Sequence, residues 1–384
     1  MRIAVDARSL TTQPTGVGHY LLAAVNVWSQ LTPEIRFTLL AHKPLHAAVP
    51  ALLASRDNIH YQCCPAPRLA DNGLWWLATH FEPAARTAGA DVLWGASGLL
   101  PPLSAPGTTS PRRLLTVHDL AYRSLPWTLS RRNRIAYGLL AGRSIRTAAT
   151  LWAVSEHTAS EVRRHYPRRR TAAIVVGSGL NPLRAAASPS AAALEAVRTR
   201  HRIGARTLLF VGTLEPRKNL RHLLTLMPAL AQRGYRLLVV GCGGWGDSGV
   251  ADVVQRGDFP RDAVAFCDYV DEAELRALYR LATVFVSPSL LEGFGLPLLE
   301  AMEAGCPVVA AANSAMPQVV GEGGMVVAGW NPADWIDAID AVAAEPDRWR
   351  VRAMTRAVAA TEQLPKACLA VQAALQAQGG SLST

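Results

Sequence analysis

The chain has 384 residues, 50% of them hydrophobic, which is more than one packed core usually contains, so we expect two domains. Its apolar runs are strand-sized and interrupted by charge or glycine, and residues 1–6 enter a strand pattern directly, so we expect neither a transmembrane helix nor a signal peptide. The six cysteines lack paired metal-ligand spacing and indicate reduced core thiols in a cytosolic protein.

The net charge of +10 is unevenly distributed along the chain. Residues 1–182 hold 20 Lys+Arg and 9 Asp+Glu, whereas the remainder holds 19 and 20. Arginines cluster at 131–134 and 163–170. This excess indicates an anionic partner, either a membrane leaflet with acidic lipids or a nucleic acid, with solvated helix faces as the alternative.

The first half of the sequence alternates strand and helix patterns. The predicted strands are residues 3–6, 37–41, 59–63, 92–94, 113–117 and 151–154, and helix candidates include 19–30 and 133–148. A series of this kind predicts a parallel sheet covered on both faces. We assign residues 1–182 to this first domain.

The second half restarts the pattern after a linker that we place around residues 183–203. Its predicted strands are residues 207–212, 236–241, 264–267, 282–287 and 308–311. The alternation with helix-like segments indicates a second doubly wound α/β domain, over residues 183–362. A last helix is predicted at 365–378.

Two loops of the first domain carry candidate site residues. Gly16 and Gly18 follow the first strand and open the first helix, a weak signal because many loops use glycine only for backbone freedom. Gly16-Val-Gly18 does not continue as Gly-x-Gly-x-x-Gly, which disfavours a dehydrogenase. His118 and Asp119 end another strand at the same sheet edge. A lone histidine is more often structural than catalytic, and Asp119 is equally suited to capping a helix.

A glycine-ended strand of the second domain leads into a charged turn. Gly212 is followed by Arg217 and Lys218, beyond the strand end where open α/β sheets bind ligands. A guanidinium and an ammonium side by side are suited to holding a diphosphate and stabilising a leaving group. The alternative is the charged first turn of an ordinary helix. The chain has three lysines against 36 arginines, so Lys218 is mildly unexpected there.

Residues 287–311 predict a strand, a glycine turn, a helix over 296–304 and another strand. The free N–H groups near the helix start form a plausible diphosphate site. Glu292 precedes that point and Glu300 lies inside the helix. Because carboxylates repel phosphate, their expected partners are hydroxyl groups, as on a sugar and a ribose. The alternative is that both acids are simply solvated.

This pattern resembles the retaining family 4 glycosyltransferases of GT-B fold, whose signature is a Glu, seven residues and a second Glu, as in Glu292 and Glu300. The resemblance implies two Rossmann-like, doubly wound parallel-sheet domains facing across a cleft. It also implies that the first domain binds the acceptor, that the second binds a nucleotide-sugar donor, and that the C-terminal helix, within residues 363–384, crosses back onto the first domain.

The resemblance also implies roles for individual residues. Gly16 and Gly18 border the donor diphosphate and the acceptor, and His118 contacts the transferred sugar. Glu292 binds sugar hydroxyls and Glu300 binds the ribose. The remaining implied donor contacts are Gly212, Arg217, Lys218, Tyr269, Val270, Gly293, Phe294, Gly295 and Leu296. His118, Arg217, Lys218 and Glu292 are the expected catalytic residues.

Two further assignments are less specific. Asp271 is expected to cap the helix after the Tyr269 segment. Asp119 and Trp94, the latter with Trp75 and Trp76, are candidates for the acceptor site, although aromatic residues at this spacing are more often core.

The expected function is retaining transfer of a hexose, with GDP-mannose as the favoured donor and UDP or dTDP sugars as alternatives. The expected acceptor is a saccharide on a lipid carrier, in bacterial surface polysaccharide synthesis. We expect a cytoplasmic protein, peripheral at the inner membrane face, that binds neither nucleic acid nor a cofactor. We also expect no metal, because the chain contains no Asp-x-Asp motif. A nucleotide-sugar epimerase of the same fold and a nucleic-acid-binding protein are the alternatives.

Overall fold

The structure is a computed structural model, and it describes residues 1–53, 56–65, 72–102, 110–128, 131–167, 173–180, 189–241, 243, 248–268 and 270–378. The chain divides into two compact units. The first consists of Met1–Leu120, Arg132–Ala186 and Thr361–Thr384, and the second of Ala121–Arg131 and Ala187–Ala360.

The first unit is built on a seven-stranded parallel sheet. Its strands are β1 (Arg2–Asp6), β2 (Arg36–Ala41), β3 (Ile59–Cys63), β4 (Val92–Gly95), β5 (Arg112–Val117), β6 (Thr150–Ala153) and β7 (Ala173–Val176). Their order is β3-β2-β1-β4-β5-β6-β7, and every neighbouring pair is parallel.

The second unit is built on a six-stranded parallel sheet. Its strands are β8 (Thr207–Val211), β9 (Arg236–Val240), β10 (Val264–Cys267), β11 (Val284–Ser287), β12 (Val308–Ala311) and β13 (Gly324–Val327). Their order is β10-β9-β8-β11-β12-β13. The prediction of two Rossmann-like α/β domains is therefore confirmed.

The α-helices are numbered along the chain. They are α1 (Gly16–Leu31), α2 (Val49–Leu52), α3 (Gly73–Trp76), α4 (Glu82–Thr87), α5 (Ala121–Ser124), α6 (Arg131–Thr147), α7 (Glu156–His165), α8 (Ala191–Arg200), α9 (Leu220–Gln232), α10 (Val250–Val254), α11 (Glu272–Leu281), α12 (Leu296–Glu303), α13 (Met316–Val320), α14 (Pro332–Ala344), α15 (Pro346–Thr361) and α16 (Gln363–Ala377). Short 3₁₀ turns cover Arg8–Leu10, Pro126–Thr128, Pro216–Lys218, Arg261–Ala263 and Gly321–Gly323, and Leu77–Phe81 forms a π-helical turn.

The central strands are apolar along their whole length because helices cover both faces of a parallel sheet. All four residues of β4 and all four of β12 are buried. The two strands that the sequence did not predict, β7 and β13, lie at sheet edges and contain exposed or half-buried positions. Both are apolar runs of four residues, as is the edge strand β10 that was predicted, so neither length nor composition explains why they were missed.

A cluster of tryptophans fills the core of the first unit. Trp94 stacks on Trp152 with ring centroids 5.6 Å apart, and Trp28 packs edge-on against both. The Trp94 indole N–H donates to Thr116 Oγ1 at 2.9 Å. Trp94 is completely buried, so the prediction that it lines an acceptor groove is wrong. Large aromatic surfaces with a satisfied N–H are stable core components.

The two neighbouring tryptophans that were predicted alongside Trp94 differ from each other. Trp76 is also fully buried and donates its indole N–H to the Cys64 carbonyl at 2.8 Å. Trp75, one residue earlier on α3, leaves 42% of its surface exposed. Trp76 therefore belongs to the core, and only Trp75 presents an accessible ring.

The C-terminal helix α16 belongs to the first unit and packs against α1. Leu364, Cys368, Val371 and Leu375 form its buried face. The carbonyl of Leu375 accepts a hydrogen bond from Arg112, and Gln378 donates to the Ala149 carbonyl at 3.0 Å. These contacts fix the C-terminal end of α16 beside β5 and β6.

The division into units differs in detail from the predicted boundaries of 182 and 362. The structure assigns Ala121–Arg131, which lies well inside the predicted first domain, to the second unit. No sequence signal marked this excursion, whose described residues form the short helix α5, the 3₁₀ turn Pro126–Thr128 and, at Arg131, the start of α6.

The described cysteines are free thiols. Cys306 and Cys368 are buried, and burial raises the pKa of the Cys306 thiol to about 12 and that of Cys368 higher still. Cys63, Cys64 and Cys267 are only half-buried, so the prediction of core thiols is wrong for these three. Among the described residues, no helix is long and apolar enough to cross a membrane.

Candidate active site

The strand order of the second unit defines where a ligand is expected. Strands β8 and β11 are neighbours, and the chain runs outward from them in opposite directions across the sheet. At such a point the connections after the two strands diverge and leave a crevice beyond their carboxyl ends. The two loops that border it are residues 212–219, after β8, and residues 288–295, after β11.

The loop after β8 contains a tight 3₁₀ turn over Pro216–Lys218, followed by Asn219 in the left-handed conformation at φ 53°. Gly241, which follows β9, lies so close to this loop that a Cβ on it would be 2.1 Å from the Gly212 carbonyl oxygen. The Lys218 side chain lies over Gly212. The turn therefore directs both cations of the loop toward the carboxyl end of β11.

Four charged side chains meet between the two loops. The Glu292 carboxylate accepts from Lys218 Nζ at 2.7 Å through Oε1 and from Arg217 Nη1 at 3.1 Å through Oε2. Arg217 Nη2 also donates to Glu215 Oε1 at 2.6 Å. Acids and bases alternate in the order Glu215, Arg217, Glu292, Lys218. We call these four residues the ion cluster.

Uncharged groups complete the shell around Glu292. Ser289 Oγ donates to its Oε1 at 2.7 Å, and the Glu292 N–H donates to Ser314 Oγ at 2.9 Å. Ser314 in turn donates to the Asn313 side-chain oxygen at 3.1 Å, and Asn313 donates to the Ser289 carbonyl at 3.2 Å. These bonds hold the loop after β11 against the one after β12.

The electrostatics of Glu292 define what it can do chemically. Burial raises the pKa of its carboxyl, but the charges of Lys218 and Arg217, with the bonds from Lys218 and Ser289, outweigh burial and lower the pKa to about 2. The group is therefore an anion at neutral pH. It is a poor general acid, in agreement with the hypothesis that it accepts hydrogen bonds.

The start of α12 presents backbone donors beside this cluster. Gly295 precedes the helix with φ 98°, a left-handed conformation that favours glycine, and Pro297 occupies the first turn. Within the part of the chain that the structure describes, the N–H groups of Gly295 and Leu296 donate no hydrogen bond. Such donors at a positive helix end are suited to an anion.

Glu300 lies on the same helix but makes a different contact. It is half-buried and accepts a hydrogen bond from the Tyr279 hydroxyl at 3.1 Å. Tyr279 comes from α11 and is itself 1% exposed. The other predicted turn residues, Gly293 and Phe294, are buried between Glu292 and Gly295.

The segment expected to contact the base is described in part. Tyr269 lies outside the described residues. Val270 is half-buried. The prediction that Asp271 caps the following helix is confirmed, since its side chain accepts from the Glu274 N–H at 2.8 Å.

In the first unit the analogous point lies between β1 and β4. The half-buried His118 follows β5, and its Nε2 bonds to the Ala96 carbonyl after β4 at 2.8 Å. A carbonyl accepts only, so Nε2 carries the proton and Nδ1 is the acceptor nitrogen of the neutral ring. Burial lowers the pKa of His118, while the bond to Ala96 and the charge of Asp119 act in the opposite direction.

The loop glycines of the first unit have different surroundings. A Cβ on Gly18 would lie 3.0 Å from the Ser9 carbonyl oxygen, whereas Gly16 has open space around it. Gly18 therefore permits a close approach of α1 to the preceding loop. Tyr20, one turn further along α1, packs edge-on against the His118 ring at 5.0 Å.

The structure brings together some of the predicted residues and adds others. Gly212, Arg217, Lys218 and Glu292 form one site, next to Gly293–Leu296. Sequence reasoning missed Glu215, Ser289, Asn313 and Ser314, which hold that site. Glu215 and Ser289 lie within the two motifs and bond Arg217 and Glu292, two and three residues away, while the bond between Arg217 and Glu292, 75 residues apart, joins the two loops.

The family comparison matches the second unit. Residues 205–345 match the family described as glycosyl transferases group 1. The chain is 41% identical to O-antigen chain mannosyltransferase B of Escherichia coli over 159 residues, which are 40% of this chain and 41% of that protein. It is 36% identical to D-inositol 3-phosphate glycosyltransferase 2 of Catenulispora acidiphila over 155 residues, 38% of this chain and 36% of that protein. These matches span less than half the length of either relative.

Solved structures match over nearly the whole chain. Sucrose-phosphate synthase from Thermosynechococcus elongatus has a TM-score of 0.73 at 17% identity, covering 100% of this chain and 99% of that one. Anabaena HepE in complex with UDP-glucose has a TM-score of 0.71 at 16% identity, covering 98% and 100%. WaaG, a glycosyltransferase involved in lipopolysaccharide biosynthesis, has a TM-score of 0.67 at 15% identity, covering 96% and 98%.

At these identities the structural matches establish the fold, which is GT-B. The match to the glycosyl transferases group 1 family lies within the second unit.

Proposed function

We propose that the chain is a glycosyltransferase that moves a hexose, with mannose favoured, from a nucleoside diphosphate sugar to a saccharide acceptor. The observation that carries the proposal is the ion cluster at the β8/β11 crevice, next to the N–H groups of Gly295 and Leu296, which donate to none of the described residues. A compact ammonium and a helix N-terminus are complementary to a diphosphate. The name of the O-antigen chain mannosyltransferase B relative supports mannose and a surface polysaccharide acceptor.

The proposed donor site assigns separate tasks to the groups present. Lys218, together with the Gly295 and Leu296 N–H groups, binds the diphosphate and stabilises its charge as the glycosidic bond breaks. Glu292 Oε2 can accept a further hydrogen bond and accepts one from a hydroxyl of the sugar. Glu300 accepts one from a hydroxyl of the ribose. The attraction of Lys218 and Arg217 for Glu292 offsets the repulsion between this acid and a phosphate.

In the first unit we propose that Nδ1 of His118 accepts a hydrogen bond from a hydroxyl group of the sugar. Its Nε2 is engaged with Ala96, and the lowered pKa keeps the ring neutral near pH 7, which is the state that can accept. We further propose that transfer retains the anomeric configuration and needs no metal, since protein cations and amides balance the leaving charge.

The favoured donor is GDP-mannose, and the favoured acceptor is a lipid-linked saccharide. The basic first half of the chain supports peripheral contact with an anionic membrane surface, where such an acceptor is held.

The test is a transfer assay with GDP-mannose, UDP-glucose and dTDP-glucose in the presence of EDTA. We expect one donor to be consumed with release of its nucleoside diphosphate and with the anomeric configuration kept in the product. Interconversion of the donor sugar without an acceptor would replace the proposal with an epimerase. A shift of DNA mobility together with no stabilisation by GDP, UDP or dTDP would replace it with a nucleic-acid-binding protein.

A further inference from the structure

Arg217 of the ion cluster directs its hydrogen bonds at protein groups. Its Nη1 donates to the Leu291 carbonyl at 2.8 Å and to Glu292 Oε2 at 3.1 Å, and its Nη2 donates to Glu215 Oε1 at 2.6 Å. The Leu290 N–H also donates to the Arg217 carbonyl at 2.8 Å. The residue therefore connects the loop after β8 to the loop after β11, on either side of the crevice.

Glu215 is the most deeply buried acid of this cluster. Its side chain is 1% exposed, and its Oε1 bonds to Arg217. Its Oε2 is buried and has no hydrogen-bond partner among the described residues. A buried carboxylate with one oxygen left without a hydrogen bond does not favour stability. We therefore expect Glu215 to have a role other than stabilising the fold.

The geometry indicates what that effect is. A guanidinium can take both oxygens of one carboxylate in a parallel, two-bond pair. In the ion cluster Arg217 instead divides its two Nη groups, since Nη1 donates to Glu292 and Nη2 to Glu215. Glu292 Oε1 is thereby left to Lys218 Nζ and Ser289.

We propose that Glu215 is a positioning residue, which holds Arg217 away from a two-bond pair with Glu292 and so keeps the Lys218 ammonium at the place where it meets the donor diphosphate. In this proposal Glu215 and Arg217 act through Glu292 and Lys218 and not on the nucleotide, which replaces the donor contact that the family resemblance implies for Arg217. This inference rests on the proposed donor site and deepens it.

The test compares nucleotide binding in the full chain and its variants. The wild type is first tested with GDP, UDP, ADP and dTDP to find the base that it binds. Affinities for that diphosphate and for the matching monophosphate are then measured in Glu215→Gln, which removes the charge, and Glu215→Asp, which keeps the charge but shortens the reach. Glu345→Gln, at an exposed acid paired with Arg348, is the control.

We expect both Glu215 variants to lose affinity for the diphosphate by about tenfold, with affinity for the monophosphate and the circular dichroism spectrum unchanged. In a Lys218→Ala background the same substitutions should cause no further loss, because the effect passes through Lys218. Glu215→Asp keeps the test valid if Glu215→Gln fails to fold.

Two kinds of failure are distinguishable. A wild type that binds none of the four diphosphates overturns the proposed function and this inference together. If the wild type binds one of them, three results for the Glu215 variants overturn the inference and leave the proposed function standing. These are an unchanged affinity for the diphosphate, an equal loss of affinity for the diphosphate and the monophosphate, and a further loss of affinity in the Lys218→Ala background.

Discussion

The two units differ in the candidate groups at corresponding points of their sheets and in where their excess charge lies. In the second unit, buried acids and half-buried bases alternate and balance each other within the ion cluster. In the first unit the candidate group is His118, a half-buried ring bonded to a carbonyl, and the charge excess lies elsewhere, as in the exposed Arg163 and Arg164 of α7.

This difference has a physical reason. A buried charge requires a partner of opposite sign, so ions that serve chemistry inside a fold come in balanced sets. Surface charges are solvated and need no balance, so they can accumulate and act at long range on an anionic partner. The contrast predicts large local effects from the ion cluster of the second unit and small, salt-dependent effects from the surface charges of the first.

The largest expected effect is that of Lys218→Ala. Loss of the ammonium should lower the transfer rate by roughly 10²–10³-fold, since its charge meets the leaving diphosphate. The variant should retain the wild-type circular dichroism spectrum. Lys366→Ala, at an exposed lysine paired with Glu362, is the matched control and should transfer normally. Wild-type rates in Lys218→Ala would refute the site assignment.

The second prediction concerns stability and pH. The folded pKa of Glu292 is about 2, below the ordinary value of 4.5, so its ionisation stabilises the fold above pH 4.5 and this contribution is lost as the pH falls toward 2. The loss should reach about 2 kcal/mol by pH 3, measured by urea unfolding.

Glu292→Gln removes this pH dependence. The variant should be less stable than the wild type at pH 7 by roughly 3 kcal/mol, and the difference should shrink at pH 3. Glu345→Gln, in an exposed pair, should follow the wild type at both pH values. An unchanged difference between pH 7 and pH 3 would contradict the role of Glu292 as a buried anion.

The third prediction tests the neutral state of His118. Its pKa lies below the ordinary value because of burial, so the ring should stay unprotonated as the pH falls from 8 to 7. Proton NMR of the ring, assigned by comparison with His118→Gln, should give a titration midpoint below 6.5. The Gln variant should transfer about tenfold more slowly, as it loses the accepting nitrogen. A midpoint above 6.5 would rule out His118 as the acceptor of a hydrogen bond from a sugar hydroxyl.

The smallest effect is expected from the surface of the first unit. Arg164 and Arg348 are both exposed and pair with a glutamate three residues earlier, Glu161 and Glu345 respectively. Arg164→Ala should weaken binding to vesicles with acidic lipids by several-fold at low salt, on the order of 1 kcal/mol. Arg348→Ala should not, and neither change should alter stability. Equal effects of the two would remove the distinction between the units.

The two motifs of the second unit were readable from the sequence for a specific reason. A strand that ends in glycine and leads into a helix is a local pattern, and the placement of Gly212, Lys218, Glu292 and Gly295 follows from it. The same locality explains the agreement for the helix cap Asp271, whose side chain accepts from the N–H three residues on. The Trp94 prediction failed because burial of one strand is a property of the whole sheet.

The sequence by itself determined the fold class, the two α/β domains and the loops that carry the candidate site, because periodicity, glycine and helix-start signals act over a few residues. Only the tertiary structure decided that Arg217 is divided between Glu215 and Glu292, that Glu292 is a buried anion rather than an open carboxylate, and that Trp94 is core. These properties depend on which loops meet at the carboxyl ends of β8 and β11, and burial and charge pairing exist only once the sheet has formed.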